Sequence, residues 1–151
     1  ATLDTKIRSI QFKFIHRRIA TNEFLFRIGI KSSSICNFCE KEDQNLIHLF
    51  CKCSVVRTFW NDVNKRLIEL SVISVPISIL DICFGFQTRN DLINTIIFYG
   101  KYYIFKCKYI DRMPIFNHFQ KELMFLEKVE RTISLKRGNF SVHIEKWKPV
   151  I

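Results

Sequence analysis

The chain has 151 residues, 48% of them hydrophobic, and 24 Lys and Arg against 14 Asp and Glu, a formal net charge of +10. That length suits one folded unit with a real core, while 15 phenylalanines exclude a disordered composition and 4 glycines with 3 prolines disfavour a many-turned β architecture. The positive field favours polyanions such as nucleic acid or an acidic membrane surface, and no run reaches the ~20 apolar residues of a membrane span, the greasiest, Leu92 to Phe105, being interrupted by Asn94, Gly100 and Lys101.

The expectation is an all-α chain. From Lys6 to Ile19, Ile7, Ile10 and Phe14 line one helical face and Phe12, Ile15 and Ile19 a second, which predicts a helix buried on two sides. Lys6, Lys13 and Arg17 fall in one narrow sector of its remaining stripe, with Arg18 beside them. Thr21 is placed to cap a short helix through Phe24, Leu25 and Ile28, with Gly29 ending it. The polar run Lys31-Ser32-Ser33-Ser34 leads into Cys36, and after Cys39 an acidic turn offers Asp43 or Asn45 as cap for a brief helix holding Leu46, Ile47, Leu49 and Phe50. Val56, Phe59, Trp60, Val63, Leu67 and Leu70 then keep a clear helical period.

The β-branched stretch from Ser71 to Pro76 reads as a connector, and Gly85 as a further break. A long helix should begin near Asn90, with Ile93, Ile96, Ile97, Gly100, Ile104 and Cys107 on its inner face and Lys101, Lys108 and Arg112 offered to solvent. Pro114 stops it and suits the first position of the next helix, whose Phe116, Phe119, Leu123, Leu126 and Ile133 repeat at near-heptad spacing until Lys136, Arg137 and Gly138. In the tail, Phe140, Val142 and Ile144 alternate like a strand, yet Phe140, Ile144 and Trp147 also fit a helix, the reading preferred here. Residues 1–151 are expected to form a single domain, with basic helices and a knuckle in 1–70 and a helical C-terminal part in 77–151.

Four of the 6 cysteines lie between positions 36 and 53, whereas a secreted disulfide framework spreads them out. No initiator Met and no secretory signal is visible, so the chain is expected to be an intracellular fragment of something longer. Cys36 and Cys39 form a CxxC turn that lets two thiolates converge on one ion, and His48 with a further cysteine can complete a tetrahedral zinc site. Five residues of ideal helix turn a side chain by about 140°, so a helix carrying both His48 and Cys53 must end or tighten between them; Cys51, three residues from His48, competes as fourth ligand. Cys83 and Cys107 sit among apolar residues and read as core.

The run from Ile10 to Arg18, then Thr21-Asn22, Phe24-Leu25, Cys36-Asn37-Phe38-Cys39, His48-Leu49-Phe50, Cys53 and Phe59-Trp60 resembles the zinc-binding region found in the reverse transcriptases of LINE-type, non-LTR retrotransposons. Asn94, Lys101, Tyr103-Ile104, Pro114, Phe119, Glu127-Lys128 and the stretch from Lys146 to Pro149 are similar to the close of that family's reading frame. The resemblance implies a CCHC knuckle with Cys36, Cys39, His48 and Cys53 as ligands of a structural Zn2+, although Cys51 departs from the aromatic usual at its position. It also implies a segment lying beyond the polymerase, in cytoplasm and nucleus, that helps hold template RNA or target DNA in target-primed reverse transcription.

No paired-aspartate polymerase motif is present, so no catalytic residue is expected in this chain. Up to Lys31, seven cations (Lys6, Arg8, Lys13, Arg17, Arg18, Arg27 and Lys31) face Asp4 and Glu23. Lys6, Lys13, Arg17, Arg18 and Lys31 are the candidate nucleic-acid contacts, with Lys101, Lys106, Lys108 and Arg112 as a second patch. Phe38 is expected to pack over the metal site rather than stack on a base, and His16 lacks a nucleophile partner. The rival reading is a zinc-stapled protein-interaction module docking on the polymerase thumb or a partner protein. A hydrolytic zinc enzyme is disfavoured, because four protein ligands leave no place for water.

Overall fold

The computed structural model describes residues 5–87 and 90–151; Asp4, counted in the charge of the first segment, lies outside them. Among the described residues there are no strands, only seven α-helices and one π-helical turn. In chain order these are α1 (Thr5–Ile15), α2 (Asn22–Arg27), the π turn (His48–Lys52), α3 (Ser54–Glu69), α4 (Ile79–Phe84), α5 (Asp91–Tyr109), α6 (Phe116–Arg137) and α7 (Phe140–Trp147).

Helix α5 is the axis of the molecule. It packs against α1, α4, α6, α7 and the π turn, and Ile93, Ile96, Ile97, Gly100, Ile104 and Cys107 are all buried along it. Asn90 caps it as expected, its Oδ1 accepting from the N–H groups of Leu92 and Ile93 at 3.1 Å each. The same apolar cluster takes in Phe14 of α1, Phe59 and Trp60 of α3, Phe119 of α6 and Trp147 of α7. Cys83 and Cys107 are buried within it.

Helix α1 ends four residues sooner than its pattern predicts. Arg17 takes a left-handed φ of 52, with the Arg17 N–H on Phe14 O at 3.1 Å and the Arg18 N–H on Lys13 O at 2.8 Å. This Schellman closure places an arginine where glycine is usual. The reversal returns Ile19 to the core and leaves Phe12 and Ile15 exposed, so the helix is buried on one side, through Ile7, Ile10 and Phe14. Arg17 and Arg18 lie beyond its end, outside the sector that holds Lys6 and Lys13.

Other boundaries follow their local chemistry. Thr21 Oγ1 accepts from the Phe24 N–H at 3.3 Å, and Gly138 closes α6 in the left-handed region at φ 71. Helix α6 begins at Phe116 after an extended Ile115, so Pro114 precedes the helix rather than opening it; Tyr103 Oη and the Ile115 backbone bond each other there. The tail is helical, but its inner face is His143 and Trp147, with Ile144 exposed. His143 Nε2 lies 2.9 Å from Glu127 Oε1, and the Trp147 indole N–H donates to Glu130 Oε2 at 2.9 Å. These polar contacts outweigh the apolar alternation that made the segment ambiguous.

Helices α3 and α5 meet at one point of close approach. A Cβ on Gly100 would lie 2.6 Å from the Trp60 ring, and that ring is fixed by its indole N–H donating to Phe50 O at 2.8 Å. Gly100→Ala should therefore lower stability by about 1–3 kcal/mol despite its better helix propensity. Denaturant unfolding measures this, and an unchanged or raised midpoint would contradict the packing described.

Candidate metal centre

The knuckle begins as a small hairpin. Ile35 and Asp43 form an antiparallel bridge, the Cys36 N–H donates to Glu42 O at 2.8 Å, and the Gln44 N–H donates to Ser34 O at 2.9 Å. Between them the chain turns through residues 37–39, closed by the Glu40 N–H on Cys36 O at 2.9 Å. Gln44 is fully buried and donates to Asn37 Oδ1 at 2.8 Å and to Cys36 Sγ at 3.5 Å.

His48 and Cys53 come from the π turn and the residue after it. Asn45 Oδ1 accepts from the His48 N–H at 2.8 Å, and the Cys53 N–H donates to His48 O at 2.8 Å. The helix does end between them, as the spacing requires, since the turn stops at Lys52 and Cys53 is extended (φ -53, ψ 132); it widens on the way rather than tightening. Bonding from residue i to i+5 widens the turn, and with the extended Cys53 after it both side chains come to the same side.

The ligand atoms of Cys36, Cys39, His48 and Cys53 all lie within 4.8 Å of one another. Cys36 Sγ and Cys53 Sγ are 3.9 Å apart, and Cys39 Sγ and His48 Nε2 are 3.4 Å apart. A tetrahedron with zinc–sulfur bonds of about 2.3 Å and zinc–nitrogen bonds of about 2.0 Å has S···S edges near 3.8 Å and S···N edges near 3.5 Å. The donor set and these two spacings therefore fit a tetrahedral zinc.

The two buried thiols differ in their electrostatics. The Cys36 thiol is lowered to about 4, chiefly by its hydrogen bond with Cys53 and against the upward push of burial, while N–H groups of Cys39, Gln44 and Phe38 add to the effect. Cys53 is pushed up by that shared bond and by burial, so the metal-free pair shares one proton, which zinc must displace when both sulfurs bind as thiolates. His48 turns its Nδ1 toward Glu42 Oε2 at 3.4 Å, an arrangement in which a carboxylate orients a metal-binding imidazole. Glu42 reads in sequence only as part of a solvated acidic turn, and no local signal assigns it to the histidine.

Cys51 points elsewhere. Burial, followed by the neighbouring Cys83, drives its thiol up to about 12, and it belongs to the apolar core. Phe38 is buried and packs within the same core, away from any stacking partner in solvent. His16 is exposed, with its ring 4.3 Å from that of Phe12.

The basic residues divide. Lys6, Lys13, Arg17, Arg18 and Lys31 are exposed; Lys6 borders a cleft with Tyr99, Tyr102 and Lys106, and Lys31 donates to Asn22 Oδ1 at 2.9 Å. Lys101 is not on the surface at all. It is 0% exposed, donates to Gln11 Oε1 and Cys83 O, and lies 4.4 Å and 5.2 Å from the ring centres of Phe14 and Phe98. Burial brings its ammonium down to about 8. It bridges α5 to α1 and α4, which excludes it from a phosphate-binding patch. Lys106 is tied to Glu122 at 2.5 Å, Lys108 is half-buried, and Arg112 is exposed beyond the end of α5.

Residues 1–60 match the family model described as zinc-binding in reverse transcriptase. No curated protein and no solved structure matches the chain. The family match and the thiol–imidazole cluster together make this a structural zinc site. Its zinc is worth about 10–16 kcal/mol of apparent binding energy at neutral pH, comparable to the stability of a whole domain.

Cys53→Ser should abolish stoichiometric zinc binding, and Cys51→Ser should retain it. Metal analysis of the two purified variants reads the difference directly; zinc lost with Cys51 and kept without Cys53 would overturn the geometry.

Proposed function

We propose that this chain is a non-catalytic, zinc-folded nucleic-acid-binding module of a LINE-type retrotransposon reverse transcriptase. Cys36, Cys39, His48 and Cys53 hold the ion, and the cations before and after α2 hold template RNA or target DNA for a polymerase elsewhere in the parent protein. Target-primed reverse transcription would place the module in cytoplasm and nucleus, with residues 1–151 acting as one domain.

The observation that carries this reading is a coincidence in one segment. Residues 1–60 match a zinc-binding region of reverse transcriptases, and the same stretch exposes Lys6, Arg8, Lys13, Arg17, Arg18, Arg27 and Lys31. Cations fixed on a metal-stapled scaffold lose little freedom when they meet phosphates, and each contact releases condensed counterions. Four protein ligands also close the zinc sphere, which fits a scaffold rather than a hydrolase.

A second reading is a protein-interaction module, for which Phe26, Ile28 and Ile30 speak, since they are exposed on and just after α2. Salt separates the two readings. Affinity for a single-stranded oligonucleotide should fall with log salt by ~0.7 for each phosphate contact, so replacing Lys13, Arg17 and Arg18 with Gln should flatten the slope by about two. A flat salt dependence in the unaltered protein would favour docking to protein instead.

A further inference from the structure

Two lysines from distant parts of the chain converge beside the knuckle. Lys31, in the loop after α2, and Lys108, near the end of α5, donate to the same Asn22 Oδ1 at 2.9 Å and 3.1 Å. Their ammonium nitrogens therefore lie within about 6 Å of each other, a distance of strong like-charge repulsion. Among the described residues neither makes an ion pair. The carboxylate next along the chain, Asp111, accepts instead from Asn37 Nδ2 at 3.4 Å.

Asn22 is no casual surface contact. It is 2% exposed, its Nδ2 donates to Ile35 O at 2.7 Å, and its backbone N–H donates to Gln44 Oε1 at 3.1 Å. With Nδ2 committed to that carbonyl, Oδ1 must face the lysines. Lys108 is lowered below its ordinary value by burial first and by Lys31 second, with the Cys36 thiol acting the other way. A rigid amide thus holds two cations together, and each retains two unused N–H donors.

We infer that Lys31, Lys108 and Asn22 form one anion site that takes a single phosphodiester of a bound nucleic-acid strand, bridging the knuckle to α5. The inference rests on the nucleic-acid reading above and sharpens it, because it assigns two lysines to one phosphate. A phosphate's non-bridging oxygens can accept from both ammonium groups at once, relieving the repulsion that Asn22 alone only partly offsets. Lys108 thereby becomes a contact shared with Lys31 rather than a member of a separate patch.

The test uses the full zinc-loaded chain and a fluorescent single-stranded oligonucleotide, titrated across salt for the parent protein, Lys31→Gln, Lys108→Gln and the double variant. Each single change should weaken binding about tenfold and flatten the salt slope by ~0.7, and the double should do little more than either alone. Two independent losses that add, to ~1.4 in slope, would overturn the shared site while leaving the nucleic-acid reading intact. Unchanged slopes with reduced zinc retention would overturn it too, assigning the lysines to the charge of the Cys36 thiolate. If the variants abolish binding of inorganic phosphate but leave oligonucleotide affinity untouched, the site serves free phosphate and the inference fails. No salt-dependent binding by the parent protein would bring down both the inference and the reading beneath it. Lys31→Arg with Lys108→Arg controls for folding and should keep most of the affinity.

Discussion

The structure depends on one local departure from α-helical geometry. An imidazole and a thiol five residues apart cannot share a face of an ordinary helix, and the π turn from His48 to Lys52 lets them. That widening aims His48 Nε2 and Cys53 Sγ at the two sulfurs of the CxxC turn and sends Cys51, between them in sequence, into the apolar core. One backbone choice therefore divides three clustered side chains between metal and core. Asn45 starts the turn by accepting from the His48 N–H, and Glu42 Oε2 lies 3.4 Å from the ring's Nδ1.

The knuckle is also tied to the rest of the chain. Phe50, inside the π turn, receives the Trp60 indole N–H through its carbonyl and meets Phe14 of α1 ring to ring at 5.4 Å. Trp60 in turn rests on Gly100 of α5. A short run of contacts thus joins the π turn to the central helix. Lys101 adds a polar tie in the same region, its ammonium satisfied by an amide, a carbonyl and two aromatic faces rather than by a carboxylate.

Much of this was legible in the sequence, and the failures have physical causes. Helix periods and caps located α3, α5 and α6, because Asn90, Gly138 and the Val56–Leu67 face act locally. The end of α1 was not legible, since an arginine in the left-handed region carries no compositional mark. Lys101 misled because a cation opposite an apolar stripe normally reaches water, and only the packing of α1 and α4 against α5 closes over it. The spacing from His48 to Cys53 required a break, which the end of the turn at Lys52 supplies, but carried no sign that the turn before it would widen. Glu42, Gln44 and Asn22 act through partners that only the folded hairpin supplies.

The zinc-binding cluster and the exposed cations lie in the same first part of the chain. The knuckle depends on the composition of the zinc sphere. X-ray absorption at the zinc edge of the purified chain should show three sulfurs at about 2.3 Å and one nitrogen at about 2.0 Å, with no water oxygen. A sphere with an oxygen ligand, or with four sulfurs and no imidazole, would contradict it.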